Sequence, residues 1–175
     1  IGTAQYPFRG TFDSAGIYCK ITNLKKPLFG YTNGATIQNL EIESGTISYS
    51  SNYVGSVVGN AVNTNVYRCY NGASVTNTQT SGNAYVGGIV GYINGGSIRE
   101  CTNAGNVNNS SSQVDKAYAG GIFGFAEPNV GITDCVVYNS NSDIKISATA
   151  KVTEKTTTVR STNDSVYYSR LETVN

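Results

Sequence analysis

Histidine, methionine and tryptophan are missing from this chain of 175 residues, proline occurs three times, and only 13% of the residues are charged. Without histidine there is no base for Ser/His or Cys/His nucleophilic catalysis and no His-Glu-x-x-His ligand set for a zinc peptidase. The four cysteines lack Cys-x-x-Cys spacing, so no metal site and no cofactor is expected. A net charge of +1 provides no field to gather nucleic acid or an anionic membrane, and neither partner is expected. No apolar run is long enough to cross a bilayer as a helix, so membrane insertion is not expected of this segment. Apolar i, i+3, i+4 series are interrupted throughout by Gly, Asn or β-branched residues, and little of the chain reads as helix. No signal-peptide pattern opens it. Beginning at Ile1, it reads as a processed or excised piece of a larger chain.

What abounds is Gly, Ser, Thr, Asn, Val, Ile and Tyr, a mixture of strand formers and turn formers. The chain is organised around residues 86–91, Val-Gly-Gly-Ile-Val-Gly. This hexad recurs as Val-Gly-Ser-Val-Val-Gly at 54–59, as Ala-Gly-Gly-Ile-Phe-Gly at 119–124 and, clipped to Pro-Leu-Phe-Gly, at 27–30. Its last glycine steps by 29, 32 and 33 residues, from Gly30 to Gly59, Gly91 and Gly124. An apolar pair follows each copy: Ile37/Leu40, Val66/Cys69, Ile98/Cys101 and Ile132/Cys135. Self-similarity at this period marks a solenoid, a propeller or an array. Each repeat divides into three short strands: the hexad, the apolar pair, and a segment headed by Ile47, Val75 or Val107. Turns are expected at 32–34, 60–65, 93–96 and 127–129. Ile89 and Val90 are adjacent yet both lie in apolar columns. A corner in the hexad or a second covering layer would reconcile them.

Cys69, Cys101 and Cys135 share a repeat position with Leu40. A site that accepts leucine asks for an apolar side chain, so these residues are expected as a buried structural ladder of free thiols. Parallel in-register neighbours also point their Cβ bonds the same way, a poor start for disulfide geometry. Arg68, Glu100 and Asp134, one residue earlier, should stack on the outside with an Arg68–Glu100 contact. Residues 108–116 form the longest insertion and are expected to protrude as a loop. After 142 the repeat stops, and residues 144–152 alternate apolar and polar as a half-buried strand. A hairpin around 162–164 would complete a cap over the open end.

The hexads, followed by Ile-Arg-Glu-Cys-Thr-Asn-Ala-Gly-Asn-Val at 98–107, closely resemble the GLUG repeat of bacterial surface proteins. The opening Phe8-Arg9-Gly10-Thr11-Phe12-Asp13, with Ile21-Thr22-Asn23-Leu24, resembles the segment that often precedes such repeats. The match covers about residues 8–140. It departs from the pattern at Ser56, in the clipped first hexad, and in a fourth repeat without the Gly-Asn-Val ending. What the resemblance implies is a β-solenoid in an exported bacterial protein, extracellular or on the cell surface. That protein would be adhesin-like, or a secreted peptidase that cleaves immunoglobulin A, with this chain a non-catalytic part. The repeat carries no catalytic or ligand residues, so none is transferred. The expected architecture is therefore all-β: a parallel β-helix of about four coils. Residues 1–26 would form an N-terminal cap or half-repeat, 27–140 the four repeats and 141–175 the C-terminal capping strands.

Three functions fit these observations. The first is weak binding of a glycan or a host or cell-wall surface by a chain without catalysis. Tyr53, Tyr85 and Tyr118 fall in register before the hexads, and an outward tyrosine row could stack on sugar rings through a broad apolar face and a hydroxyl. The opposing expectation is that the row stacks on itself, or points inward, and only stabilises the coil. The second function is a rigid spacer or an accessory segment of a secreted peptidase. The third is a carbohydrate-active β-helix enzyme with paired carboxylates. Its candidates, Glu41, Glu43, Glu100 and Asp134, sit beside the apolar column without an evident pair. Ice binding by stacked threonines is disfavoured, because Thr76 aligns with Asn108 and Thr78 with Ser110.

Overall fold

The computed structural model describes residues 1–14, 20–111, 113–138 and 144–148, the backbone of Cys19, and the backbone of strand segments 159–160 and 171–173. The expected hairpin at 162–164 and the end of the strand expected over 144–152 lie outside the described residues.

Every described element is a strand. β1 (Thr11–Asp13) and β2 (Cys19–Ile21) come first, followed by β3 (Phe29–Asn33), β4 (Thr36–Gln38), β5 (Leu40–Ile42) and β6 (Thr46–Tyr49). The next course is β7 (Tyr53–Gly55), β8 (Val58–Tyr67), β9 (Tyr70–Asn71) and β10 (Ser74–Asn77). It is repeated by β11 (Asn83–Gly87), β12 (Val90–Arg99), β13 (Thr102–Asn103) and β14 (Val107–Asn109). β15 (Lys116–Gly120), β16 (Phe123–Ala126), β17 (Gly131–Thr133), β18 (Val136–Val137) and β19 (Lys145–Ala148) make the last course, before β20 (Val159–Arg160) and β21 (Leu171–Thr173). Corresponding strands pair in parallel, giving four walls: β1/β3/β4/β8/β12/β16/β17, β2/β5/β9/β13/β18, β6/β10/β14/β19 and β7/β11/β15. Among the described strands, only β20, on β19, and β21, on β15, pair antiparallel. The chain is thus a β-solenoid of about three turns, slightly fewer than the four coils expected. Four hexads enclose three full periods, and that accounts for the difference.

The core follows from register. Phe12, Ile37, Val66, Ile98 and Ile132 pair in succession, as do Ile47, Val75, Val107 and Ile146. The inner members are fully buried, whereas Phe12 and Ile132, at the ends, are partly buried. Burying each such side chain contributes about 1.5–3 kcal/mol. Stacking identical positions about 4.8 Å apart lets β-branched residues interlock without voids.

The hexad is not one strand. It holds the end of β7, β11 or β15, a corner, and the start of β8, β12 or β16. Val57 and Val58, like Ile89 and Val90, are all fully buried, so the corner, not a second layer, reconciles the adjacent apolar columns. Ser56, the departure in the second hexad, donates its hydroxyl to Gly88 O of the next course at 2.6 Å. The second corner is made by Asn39, Arg68, Glu100 and Asp134, whose φ angles of 56, 49, 49 and 55° are left-handed. Two expected turns prove to be bends inside ten-residue strands: 60–65 within β8 and 93–96 within β12. Asn63, Gly95 and Gly96 take positive φ there, and bend the strand while pairing continues on both sides. The insertion 108–116 is also less free than its composition suggested. Asn108 and Asn109 belong to β14, and Ser111 and Val114 are buried.

Candidate functional site

The tyrosines expected in register are in register: Tyr53 pairs with Tyr85 and Tyr85 with Tyr118. Their rings stack nearly parallel, with centroids 5.5 Å apart at 17° and 4.9 Å apart at 10°. Val54, Val86 and Ala119, next in each strand, are buried in the core. Strand alternation therefore turns the tyrosines to the outside. They are not equally open, because Tyr118 is only 4% exposed while Tyr53 and Tyr85 are half-buried.

What covers the row is a second one. Tyr31, Asn60, Tyr92 and Phe125 pair in succession across β3, β8, β12 and β16. Tyr92 and Phe125 stack at 5.9 Å and 8°. Across the hexad corner, Tyr53 meets Tyr92 at 5.3 Å, Tyr85 meets Phe125 at 5.8 Å and Tyr118 meets Phe125 at 5.5 Å, the last two edge-on. These edge-to-face contacts suit the ring quadrupole. The second row escaped the sequence reading, although its signal was plain. Each member immediately follows the last hexad glycine, Gly30, Gly59, Gly91 or Gly124.

The two rows meet because the glycines let the strands before and after the corner touch. A Cβ on Gly91 would lie 2.6 Å from Val54 N and 2.7 Å from Gly59 O, so no larger residue fits there without moving backbone. The phenols respond to this packing. Burial, reinforced by neighbouring tyrosines, raises the pKa of Tyr31 and Tyr53. Tyr92 is pushed up to about 12 by burial and by its hydrogen bond to Glu127, to which its hydroxyl donates at 2.7 Å. At neutral pH the patch is an uncharged, hydroxyl-edged aromatic surface.

The other singled-out residues lie elsewhere. Leu40, Cys69, Cys101 and Cys135 each follow the left-handed corner and are buried in the core. Cys69, Cys101 and Cys135 are free thiols, and each lies 3.2–3.4 Å from the carbonyl two residues back. The Cys101 thiolate is favoured by a hydrogen bond from Cys135, but the bond to Cys69 and burial prevail and raise its pKa. The bond to Cys101, with burial, raises that of Cys135. Cys19 pairs with Leu40, so the backbone places the fourth cysteine in the same column. No group of three or more potential ligands able to hold a metal occurs among the described residues.

Of the four candidate carboxylates, Asp134 lies at the left-handed corner, and Glu41, Glu43 and Glu100 are engaged with cations at the surface. Glu41 and Glu43 share Lys20 at 3.2 and 2.8 Å, and Arg68 Nε donates to Glu100 at 3.0 Å across courses. The arginine holds the Glu100 carboxyl below its ordinary range. Thr76 pairs with Asn108, and the face it occupies continues as Ser48 and Ser147, so no threonine ladder is present there. No family model, curated protein or solved structure matches the chain.

Proposed function

We propose that this chain is a non-catalytic segment of an exported, adhesin-like bacterial surface protein of the GLUG-repeat type, and that it binds a glycan weakly through its outer aromatic patch. The observation that carries the reading is the patch itself: Tyr31, Tyr53, Tyr85 and Tyr92, partly exposed and set in adjoining rows on a stiff frame. Tyrosine offers an apolar body and a hydroxyl at small cost in conformational freedom, a combination that suits amphipathic sugar rings. A solenoid repeats each group at fixed spacing, so an extended polymer can meet equivalent residues in succession. Binding of this kind is weak per contact and gains strength from repetition.

The test is titration of neutral polysaccharides with the wild type and with a Tyr53→Ala/Tyr85→Ala variant whose strand signal in circular dichroism is retained. Loss of binding in the variant supports the reading, and equal binding removes these tyrosines from the site. A second reading, a rigid spacer, is favoured by the parallel stacking of Tyr85 on both neighbours and the burial of Tyr118. Rings engaged in that way stiffen the coil. Absence of binding to any glycan or host surface leaves the spacer.

A further inference from the structure

Parallel stacking occupies both faces of Tyr85, so along its length the row presents ring edges and hydroxyls. The row ends at Tyr53, on the outermost strand of its wall. There Tyr31, from the second row, stands edge-on to Tyr53, at 89° with centroids 6.4 Å apart. Beside that end the surface opens into a depression of about 250 Å³ lined by Lys26, Tyr31, Tyr49, Tyr53 and the hydroxyl residues Thr3 and Ser51, among others. Drug-sized ligands occupy about 300–1,000 Å³. This hollow therefore suits one small ring. Tyr49, on its rim, is 37% exposed.

The charge of the hollow is one-sided. None of its lining residues is an acid, and its second cation, the Ile1 ammonium, donates to Leu28 O at 2.8 Å. Lys26 is exposed, stands with Nζ 5.9 Å from the Tyr49 ring centroid, and makes no ion pair among the described residues. By contrast Lys20, six residues earlier, is held by Glu41 and Glu43. An ammonium over an aromatic ring and beside several hydroxyls is a receptor for an anion attached to a hydrogen-bonding, partly apolar ring.

We infer that the depression bounded by Lys26, Tyr31, Tyr49 and Tyr53 is a subsite for a single sugar ring bearing a carboxylate, with Lys26 pairing the carboxylate and the tyrosines packing the ring. This rests on the glycan-binding reading and names the sugar class and the end of the patch that takes it. A uronic acid at a chain end or within a polymer has the required chemistry.

The experiment uses the whole chain and follows amide and tyrosine ring signals by NMR during titration with glucuronic and galacturonic acid, with glucose and galactose as neutral controls. The acids are expected to bind about fivefold more tightly at low salt, the scale of one exposed ion pair. That preference should shrink in 0.5 M salt, on the order of five times the 0.1 M at which screening already reaches ~10 Å. Lys26→Gln should abolish the preference by weakening the acids to the level of the neutral sugars, whereas Tyr49→Ala should weaken acids and neutral sugars alike. Shifts should cluster on Tyr31, Tyr49 and Tyr53. Equal binding of acid and neutral sugars, or a preference that survives Lys26→Gln, overturns the inference while leaving the glycan reading intact. If no sugar binds, the glycan reading falls and takes this one with it.

Discussion

The corner inside the hexad and the corner that follows the cysteine column solve the same problem in different ways. At the hexad the strands before and after the bend touch, and the answer is to remove side chains: Gly91 lies against Val54 and Gly59 backbone. Past the cysteines the bend leaves backbone groups without ladder partners, and the answer is to add a side chain. Asn103, fully buried, accepts from Gly105 N at 3.2 Å and donates to Gly105 O at 2.8 Å. Asn71 does the same for Ala73 one course earlier, and its amide also donates to Asn103 at 2.7 Å. Asn77 and Asn109 close the next bend by donating to backbone carbonyls at 2.9 and 2.8 Å. The hexad corner is thus held by steric economy, and the asparagine bend by hydrogen bonds added to it, since a Cβ on Gly105 would run into Ala73 O. Their failure modes should differ accordingly.

The largest effect is expected at the glycine side. Gly91→Ala would drive a Cβ into the backbone of two neighbouring strands, and should destabilise by about 3 kcal/mol or more, read as a lower urea midpoint or loss of folded protein. Gly131→Ala is the control, since its Cβ would meet nothing closer than 3.6 Å, and it should be neutral or mildly stabilising. Equal costs at the two positions would mean that backbone contact does not hold the corner.

Next comes the asparagine side. Asn103→Ala strands the amide of Gly105, its carbonyl and the Asn71 side chain in the core, with an expected cost of about 2–4 kcal/mol. Exchange of the Gly105 and Cys101 amides should accelerate before that of Val90. Simultaneous acceleration would show that the two corners open together.

Alkali should act on both sides in turn. It acts first on the buried thiols of Cys101 and Cys135, because unfolded cysteine ionises at about 8.5 while the folded thiols keep their protons, and then on the glycine side. Tyr31, Tyr53 and Tyr92 hold their protons in the folded state above the pH near 10 at which unfolded tyrosine ionises. Their contribution is therefore complete below about pH 10, and it fades as pH rises towards about 12, where the folded Tyr92 titrates. The denaturation midpoint should fall over that window, and Tyr92→Phe should blunt the fall. A midpoint flat to pH 12 would contradict the packing of the two rows.

The smallest change is expected at Asn60, the one asparagine in the aromatic rows. Its buried Oδ1 has no hydrogen-bond partner, unlike the amide oxygens of Asn71 and Asn103. Asn60→Val should raise stability by about 1 kcal/mol. A loss of stability instead would reveal a bonded oxygen.

Much of the architecture was legible because a solenoid writes its register into the sequence. The steps between Gly30, Gly59, Gly91 and Gly124 predicted which residues stack, and Tyr53, Tyr85 and Tyr118 pair as their spacing required. Less legible was the direction of the chain within a repeat. Asn71, Asn103, Asn77 and Asn109, which none of the expected turns included, end strands at the bends and are fully buried. Composition cannot tell a solvated asparagine from one that bonds the backbone inside a corner. At the start, where a cap or half-repeat is expected, Phe12 and Cys19 pair into the Ile37 and Leu40 columns. Without a hexad, spacing alone does not mark that register.

By itself the sequence determined the period, the identity of the stacked columns and the absence of a histidine-based centre. Each is a property of residue type and spacing along the chain, and parallel in-register pairing carries such spacing directly into space. Only the tertiary structure decided where the coil bends and which outward columns become neighbours. The Tyr31–Tyr92–Phe125 row meets the Tyr53–Tyr85–Tyr118 row across the glycine corner, and Lys26 comes to stand by Tyr49. Those contacts depend on bend angles set by a few backbone φ values and by how closely glycine lets strands approach, and neither quantity repeats as a pattern of side chains.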